Sequence, residues 1–158
     1  MTELFAALEA SSFAVALRNS VWVYPLVNAA HVLGLALLVG AIVPLDLRLL
    51  GCWRSIPLAP LWRVLGVSAA AGVAVAAVSG SLLFAARATE YVDSPWFLAK
   101  MAAFGIGIVN AVALRRSSAR RHWQPDDDAV PLRAKVSAGL SIAAWLTTLV
   151  LGRLVGYF

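Results

Sequence analysis

Charge is what this chain has least of. Only 13% of its 158 residues are Asp, Glu, Lys or Arg and 61% are hydrophobic, whereas a soluble domain carries about 25% charged and about 45–50% apolar residues. That balance excludes an ordinary water-soluble domain and points to a polytopic membrane protein. Cysteine is nearly missing too. Cys52 stands alone, which excludes an intramolecular disulfide and a cysteine-rich metal cluster, and it reads as a small interfacial residue. Methionine occurs only as Met1 and Met101, and histidine only as His31 and His122, too few for a methionine-lined copper path. Acidic residues number eight against thirteen Lys and Arg. The basic excess sits between apolar runs, which is the pattern of membrane topology and not of nucleic-acid binding. No Ser-His-acid set and no pair of carboxylates shares one depth, so an independent hydrolase is not expected.

What the chain has is long uncharged runs. Residues 19–45 carry no formal charge and are interrupted by one histidine, His31; about 20 apolar residues suffice to cross a bilayer core. Three further runs follow, and the expected fold is all-α: an integral membrane four-helix bundle in a single domain, with spans at about 21–45, 64–87, 96–114 and 135–157. Proline marks the loops between them, with Pro57 and Pro60 in the first, Pro95 ending the second, and Pro125 and Pro131 in the third. Residues 2–18 carry a partly amphipathic pattern (Leu4, Phe5, Leu8, Val15), read as one short interfacial helix. Glu3 and Glu9 stand where a cleaved signal peptide would be basic. Helix two carries Ser68, Gly72, Ala76 and Gly80 at four-residue spacing, and helix three Ala99, Ala103, Gly107 and Ala111. Such small-residue ladders let helix backbones approach closely in lipid.

Loop charge sets the orientation. The first loop has Arg48, Arg54 and Arg63, and the third has Arg115, Arg116, Arg120, Arg121, Arg133 and Lys135. The N-terminal segment has only Arg18 and the second loop only Arg87. The asymmetry puts loops one and three in the cytoplasm and both termini outside. Trp22, Tyr24, Tyr91, Trp96, Tyr157 and Phe158 then form the outer aromatic belt, and Trp53, Trp62 and Trp123 the inner one. Asp126–Asp128 and His122 read as solvated loop residues. Asp46 and Arg48 read as interfacial residues that pair with other groups.

An ionisable group at membrane depth is costly, so function is its default reading. His31 lies nine residues beyond Trp22, ~13 Å deep, and Lys100 four residues beyond Trp96, ~6 Å deep. Arg87 and Arg153 lie at the same outer end, so three cations gather where the positive-inside rule expects few. Tyr24, Asn28 and His31 follow i, i+4, i+7 and share one stripe, with Gly34 a turn further on leaving room for a flat ligand. The competing reading is that Asn28 and His31 serve only as hydrogen-bonding glue between helices.

The pattern W-x-Y-P…H-x-x-G…D-L-R-L-L-G over 22–51, S-G-x-x-L-F…Y over 79–91 and F-x-x-K at 97–100 resembles a family of small bacterial four-helix inner-membrane proteins. That likeness implies the fold and the bacterial inner membrane, and no activity. The plan of a histidine in helix one and a lysine opening helix three is also similar to the membrane domain of CopD-type copper proteins and to HemJ-type oxidases, which bind haem b through a histidine.

The leading expectation is a haem b-binding redox or electron-transport protein. His31 would be the metal ligand, Asn28 or a backbone carbonyl would hold its other nitrogen, and Lys100, Arg87 and Arg153 would receive the propionates. Other readings stay open: a quinone head held by His31 and Lys100, copper handling through His31, and a cofactor-free anchor subunit. The expected partners are the lipid bilayer and either a second copy of the chain or a periplasmic or membrane redox protein, with no nucleic acid. Reporter fusions at residues 120 and 158 should report opposite compartments, inside and outside respectively. A cytoplasmic signal at residue 158 would put His31 in the inner leaflet and contradict the orientation.

Overall fold

The computed structural model describes residues 2–116 and 130–157. Arg120, Arg121, His122, Trp123, Asp126–Asp128 and Phe158 lie outside the described residues, as do the readings attached to them. Seven helices follow in order: α1 Thr2–Glu9, α2 Ser12–Asn19, α3 Val23–Leu50, α4 Leu58–Ala86, α5 Ala88–Asp93, α6 Pro95–Arg116 and α7 Leu132–Leu154, with no strand among the described residues. Their stops are local chemistry. α3 runs five residues past its expected end, through Asp46 and Arg48 to Leu50, with no proline or glycine in that stretch to stop it before Gly51. It closes at Gly51, whose φ of 111° needs a residue without Cβ. The amides of Gly51 and Cys52 then bond Arg48 and Leu47 carbonyls, a Schellman closure. Pro57 precedes α4 and Pro60 sits in its first turn, where no intrahelical N–H is needed, so the first loop shrinks from 46–63 to 51–57.

The four long helices span 28, 29, 22 and 23 residues, with mean hydropathies of 2.2, 1.9, 1.8 and 1.5. At 1.5 Å per residue each exceeds a bilayer core of about 30 Å. Most of their surface faces outward and is apolar, including Val32, Val67, Leu98 and Val109, all more than half exposed. Lipid accepts that surface at no cost. The chain is a multi-pass membrane protein built as an all-α four-helix bundle.

Packing makes two pairs. α3 packs on α4, α6 packs on α7, and α3 joins the pairs by lying against α7. The α3–α4 crossing is nearly backbone on backbone. A Cβ added at Gly72 would stand 2.5 Å from the Leu38 amide nitrogen and 2.7 Å from the Gly34 carbonyl oxygen. One added at Gly34 would stand 2.6 Å from the Ala76 nitrogen. Between α6 and α7 the close position is Gly107, over which the Trp145 indole lies. Leu38, Ala41, Ala69 and Trp145 form the buried core, with Phe104 edge-on to Trp145 at 5.8 Å. α4 and α6 share no extended contact among the described residues. They meet near their ends, where Phe84 stacks on Phe97 at 5.6 Å and Arg115 Nη2 donates to the Gly66 carbonyl at 3.0 Å. An opening is left between those two points.

The two ends of the bundle differ. One, the terminal face, gathers α1, α2, α5 and the end of α7; the other, the loop face, carries the 51–57 turn. The single interfacial helix expected over 2–18 is two helices, because Ser11 breaks the run and caps α2 by accepting from the Ala14 amide. Both dock on the bundle. Arg18 donates to the Ala86 carbonyl at 2.7 Å and to Glu9 at 3.3 Å. Glu9 also accepts from the Thr89 amide and hydroxyl, and those bonds hold its carboxyl below the usual carboxylate range.

The glycines separate by what surrounds them. Gly72→Ala should lower the detergent melting temperature by several degrees, since overpacking costs about 1–3 kcal/mol. Gly105→Ala, where an added Cβ meets nothing within 4 Å, should leave it unchanged or raise it. Equal melting temperatures for wild type and Gly72→Ala would contradict the α3–α4 crossing.

Candidate functional site in the membrane

His31 sits on α3 one turn before Gly34, so the crossing that brings Gly34 to Gly72 also brings the imidazole onto α4. Its Nδ1 lies 2.9 Å from the Ala76 carbonyl oxygen and 3.2 Å from Ser79 Oγ. A carbonyl only accepts, so Nδ1 carries the hydrogen. The Ser79 hydroxyl gives its own hydrogen to the Val75 carbonyl at 2.6 Å, so it too accepts from the ring. The neutral imidazole is thereby fixed in one tautomer, with the Nε2 lone pair left uncommitted. Gly80 supplies the space: a Cβ there would stand 3.0 Å from His31 Cε1. Gly34, expected to leave room beneath the ring, does not. It is buried against α4, and it is Gly80 on the partner helix that clears the imidazole. Gly80 therefore faces a side chain, while Gly72 carries the backbone contact of the small-residue ladder.

The imidazole lines a cavity of about 700 Å³ at the terminal face. Tyr24, Asn28, Arg87, Lys100 and Arg153, the other residues singled out from the sequence, line the same cavity. Their commitments differ. Arg87 is paired with Glu90 at 3.1 Å, and that bond raises its pKa further. Arg153 donates to the Tyr157 hydroxyl at 2.6 Å and lies 4.7 Å from that ring's centre. Lys100 runs across Gly152 of α7, with Nζ 3.5 Å from where a Cβ would stand, and makes no hydrogen bond or ion pair among the described residues. Asn28 makes no hydrogen bond among the described residues either; the proton on the ring goes to Ala76 instead. Of the three cations expected to hold an anion, Arg87 is neutralised by Glu90, which leaves Lys100 and Arg153.

Aromatic rings close one wall. Phe84, Tyr91 and Phe97 form a mutual cluster with centroids 5.2–6.2 Å apart, and Phe5 of α1 packs edge-on against Phe84 at 5.9 Å. Burial pushes the Tyr91 phenol up, with Tyr24 beside it adding to the shift. Beyond the imidazole, a space of about 410 Å³ continues from His31 and Lys100 past Met101 to Phe104, on the side where α4 and α6 part. Ala76, Ser79 and Gly80 were not legible as partners of His31. The only signal was a serine in mid-span beside a glycine, on the helix that carries the small-residue ladder.

The cavity offers one imidazole nitrogen and two uncommitted or partly committed cations. Among the described residues no group of three His, Cys, Asp or Glu side chains comes together. A bare metal ion that takes three or four protein donors finds one here; a group that brings most of its own ligands needs only that one. No family model, curated protein or solved structure matches the chain, so this cavity is read from its own geometry.

Proposed function

We propose that the chain is a redox protein of the bacterial inner membrane, oriented with both termini outside, that holds haem b on His31. The observation that carries this reading is the imidazole itself, with Nδ1–H anchored to a backbone carbonyl and Nε2 uncommitted beside a cavity of about 700 Å³. A ligating histidine ordinarily has its other nitrogen held in this way, which fixes the ring and raises its basicity. Nε2 of His31 would bind the iron, Ala76 and Ser79 would hold the ring's direction, and Lys100 with Arg153 would pair with the carboxylates of the group. The wall of Phe84, Tyr91 and Phe97 would exclude water from one side. When bound, haem would supply one-electron exchange at iron. The orientation is supported by the loop face, where Arg54, Arg63, Arg115, Arg116, Arg133 and Lys135 gather, while two of the cations at the terminal face are neutralised by Glu9 and Glu90.

Copper handling is less well supported, because a single imidazole is a poor copper site. A quinone head at His31 and Lys100 has one observation in its favour, the continuation of the cavity toward the opening between α4 and α6. The two are separable. Protein made with haem supplied during expression should show a Soret band that shifts on reduction, and His31→Ala should abolish it. Lys100→Ala should keep a weaker band, since a charge-assisted bond is worth about 1.5–3 kcal/mol. A wild-type preparation without Soret absorbance contradicts the haem reading, and quinone extracted from that same sample would select the alternative.

A further inference from the structure

A second cavity, of about 230 Å³, lies toward the loop face between α4 and α6, with α3 and α7 beneath it. Two polar atoms of its lining residues are buried without a partner: Asp46 Oδ2 and Trp145 Nε1, on residues 3% and 2% exposed. Asp46, expected as an interfacial residue that pairs with other groups, is instead buried, with one carboxylate oxygen left without a partner. Its neighbour Arg48 does pair, stapling the 51–57 turn through the Ile56 and Arg54 carbonyls. Among the described residues no side chain satisfies either atom. Asn110 and Ser137 are locked to each other by two hydrogen bonds, Arg115 Nη2 donates to the Gly66 carbonyl, and Ser141 lies beside the Asp46 carboxylate.

The two orphans define the missing group. An indole N–H only donates, whereas a carboxyl oxygen accepts when ionised and can donate when protonated. A group that completes both must accept one hydrogen bond and take part in another, as a hydroxyl does. The remaining wall is apolar, with Leu38, Ile42, Val73 and Ile108 among it. The volume is far above the ~10–15 Å³ that admits a single water. Asp46 lies four residues before the end of α3, ~6 Å below the loop face, which is the depth of a lipid head. The side facing the bilayer is the one where α4 and α6 share no extended contact.

We propose that this cavity binds the hydroxyl head of a lipid-borne molecule, seated between Asp46 and Trp145 with its apolar body in the α4–α6 opening. A quinol and a glycerol lipid both carry such a hydroxyl, and the chemistry of recognition is the same. The site is separate from His31 and does not depend on what His31 holds.

The test uses the full chain in lipid nanodiscs with four compounds: a short-tailed benzoquinol kept reduced, its dimethyl ether, a monoacylglycerol, and that lipid's dimethyl ether. In wild type at least one hydroxyl compound should bind at least about tenfold tighter than its ether. Whichever pair shows the preference identifies the source. Asp46→Leu and Trp145→Phe should each erase the preference, and His31→Ala should keep it. Asp46→Leu removes a partly unpartnered buried carboxylate at similar volume, so folding is not at risk and this variant alone carries the test if Trp145→Phe loses stability. Equal binding of alcohol and ether in both pairs overturns the proposal, as does a preference that survives Asp46→Leu or disappears in His31→Ala.

Discussion

The contact on which the rest depends is the meeting of Gly34 and Gly72. In lipid there is little hydrophobic drive between helices, so α3 and α4 hold together through close packing of backbone on backbone. That approach has a chemical consequence. A carbonyl of α4 comes within reach of a side chain of α3, and the imidazole of His31 bonds to Ala76. A bulkier crossing would separate the helices and leave a polar ring unpartnered in the bilayer, which is costly. The structural and functional roles of this helix pair are therefore not separable.

The second consequence is an asymmetry. With α3 against both α4 and α7, and α6 packed along its length chiefly on α7 among the described residues, the bundle stays open between α4 and α6. Aromatic stacking closes the opening at the terminal face and the Arg115–Gly66 bond closes it at the loop face. Between them α4 presents Ala69, Ala70, Val73, Ala77 and Gly80, residues too small to fill the gap. Two polar centres look into this space from opposite ends, His31 with Lys100 at one and Asp46 with Trp145 at the other. The edge-to-face pair of Phe104 and Trp145 lies in the apolar core between them.

Much of the fold was legible because the bilayer imposes a simple rule on length and hydropathy, and four uncharged runs meet it. The boundaries were less so. Arg48 and Arg63 suggested a long first loop, yet Arg48 is held within the helix by carbonyls of the following turn, and Arg63 lies inside α4. The candidate site was legible as a set of polar residues on the outer side of the membrane, and the six residues do line one cavity. Its chemistry was not. The partner of His31 is a backbone carbonyl, which no side-chain pattern records, and the pairing of Arg87 with Glu90 hinges on the turn at α5. The burial of Asp46 was not legible for a related reason: a carboxylate near a helix end ordinarily sits at the interface, and it is the packing of α7, with Ser141 and Trp145, that covers this one.

The central claim is that the α3–α4 crossing fixes His31 with its hydrogen on Nδ1 and its lone pair on Nε2. Nitrogen-15 NMR of His122→Asn, which leaves His31 as the sole histidine, reads this directly in an alkaline sample where the ring is neutral. The account expects a protonated, hydrogen-bonded Nδ1 and a bare Nε2 in protein free of added ligand. A proton on Nε2, or an even mixture of the two tautomers, would contradict it.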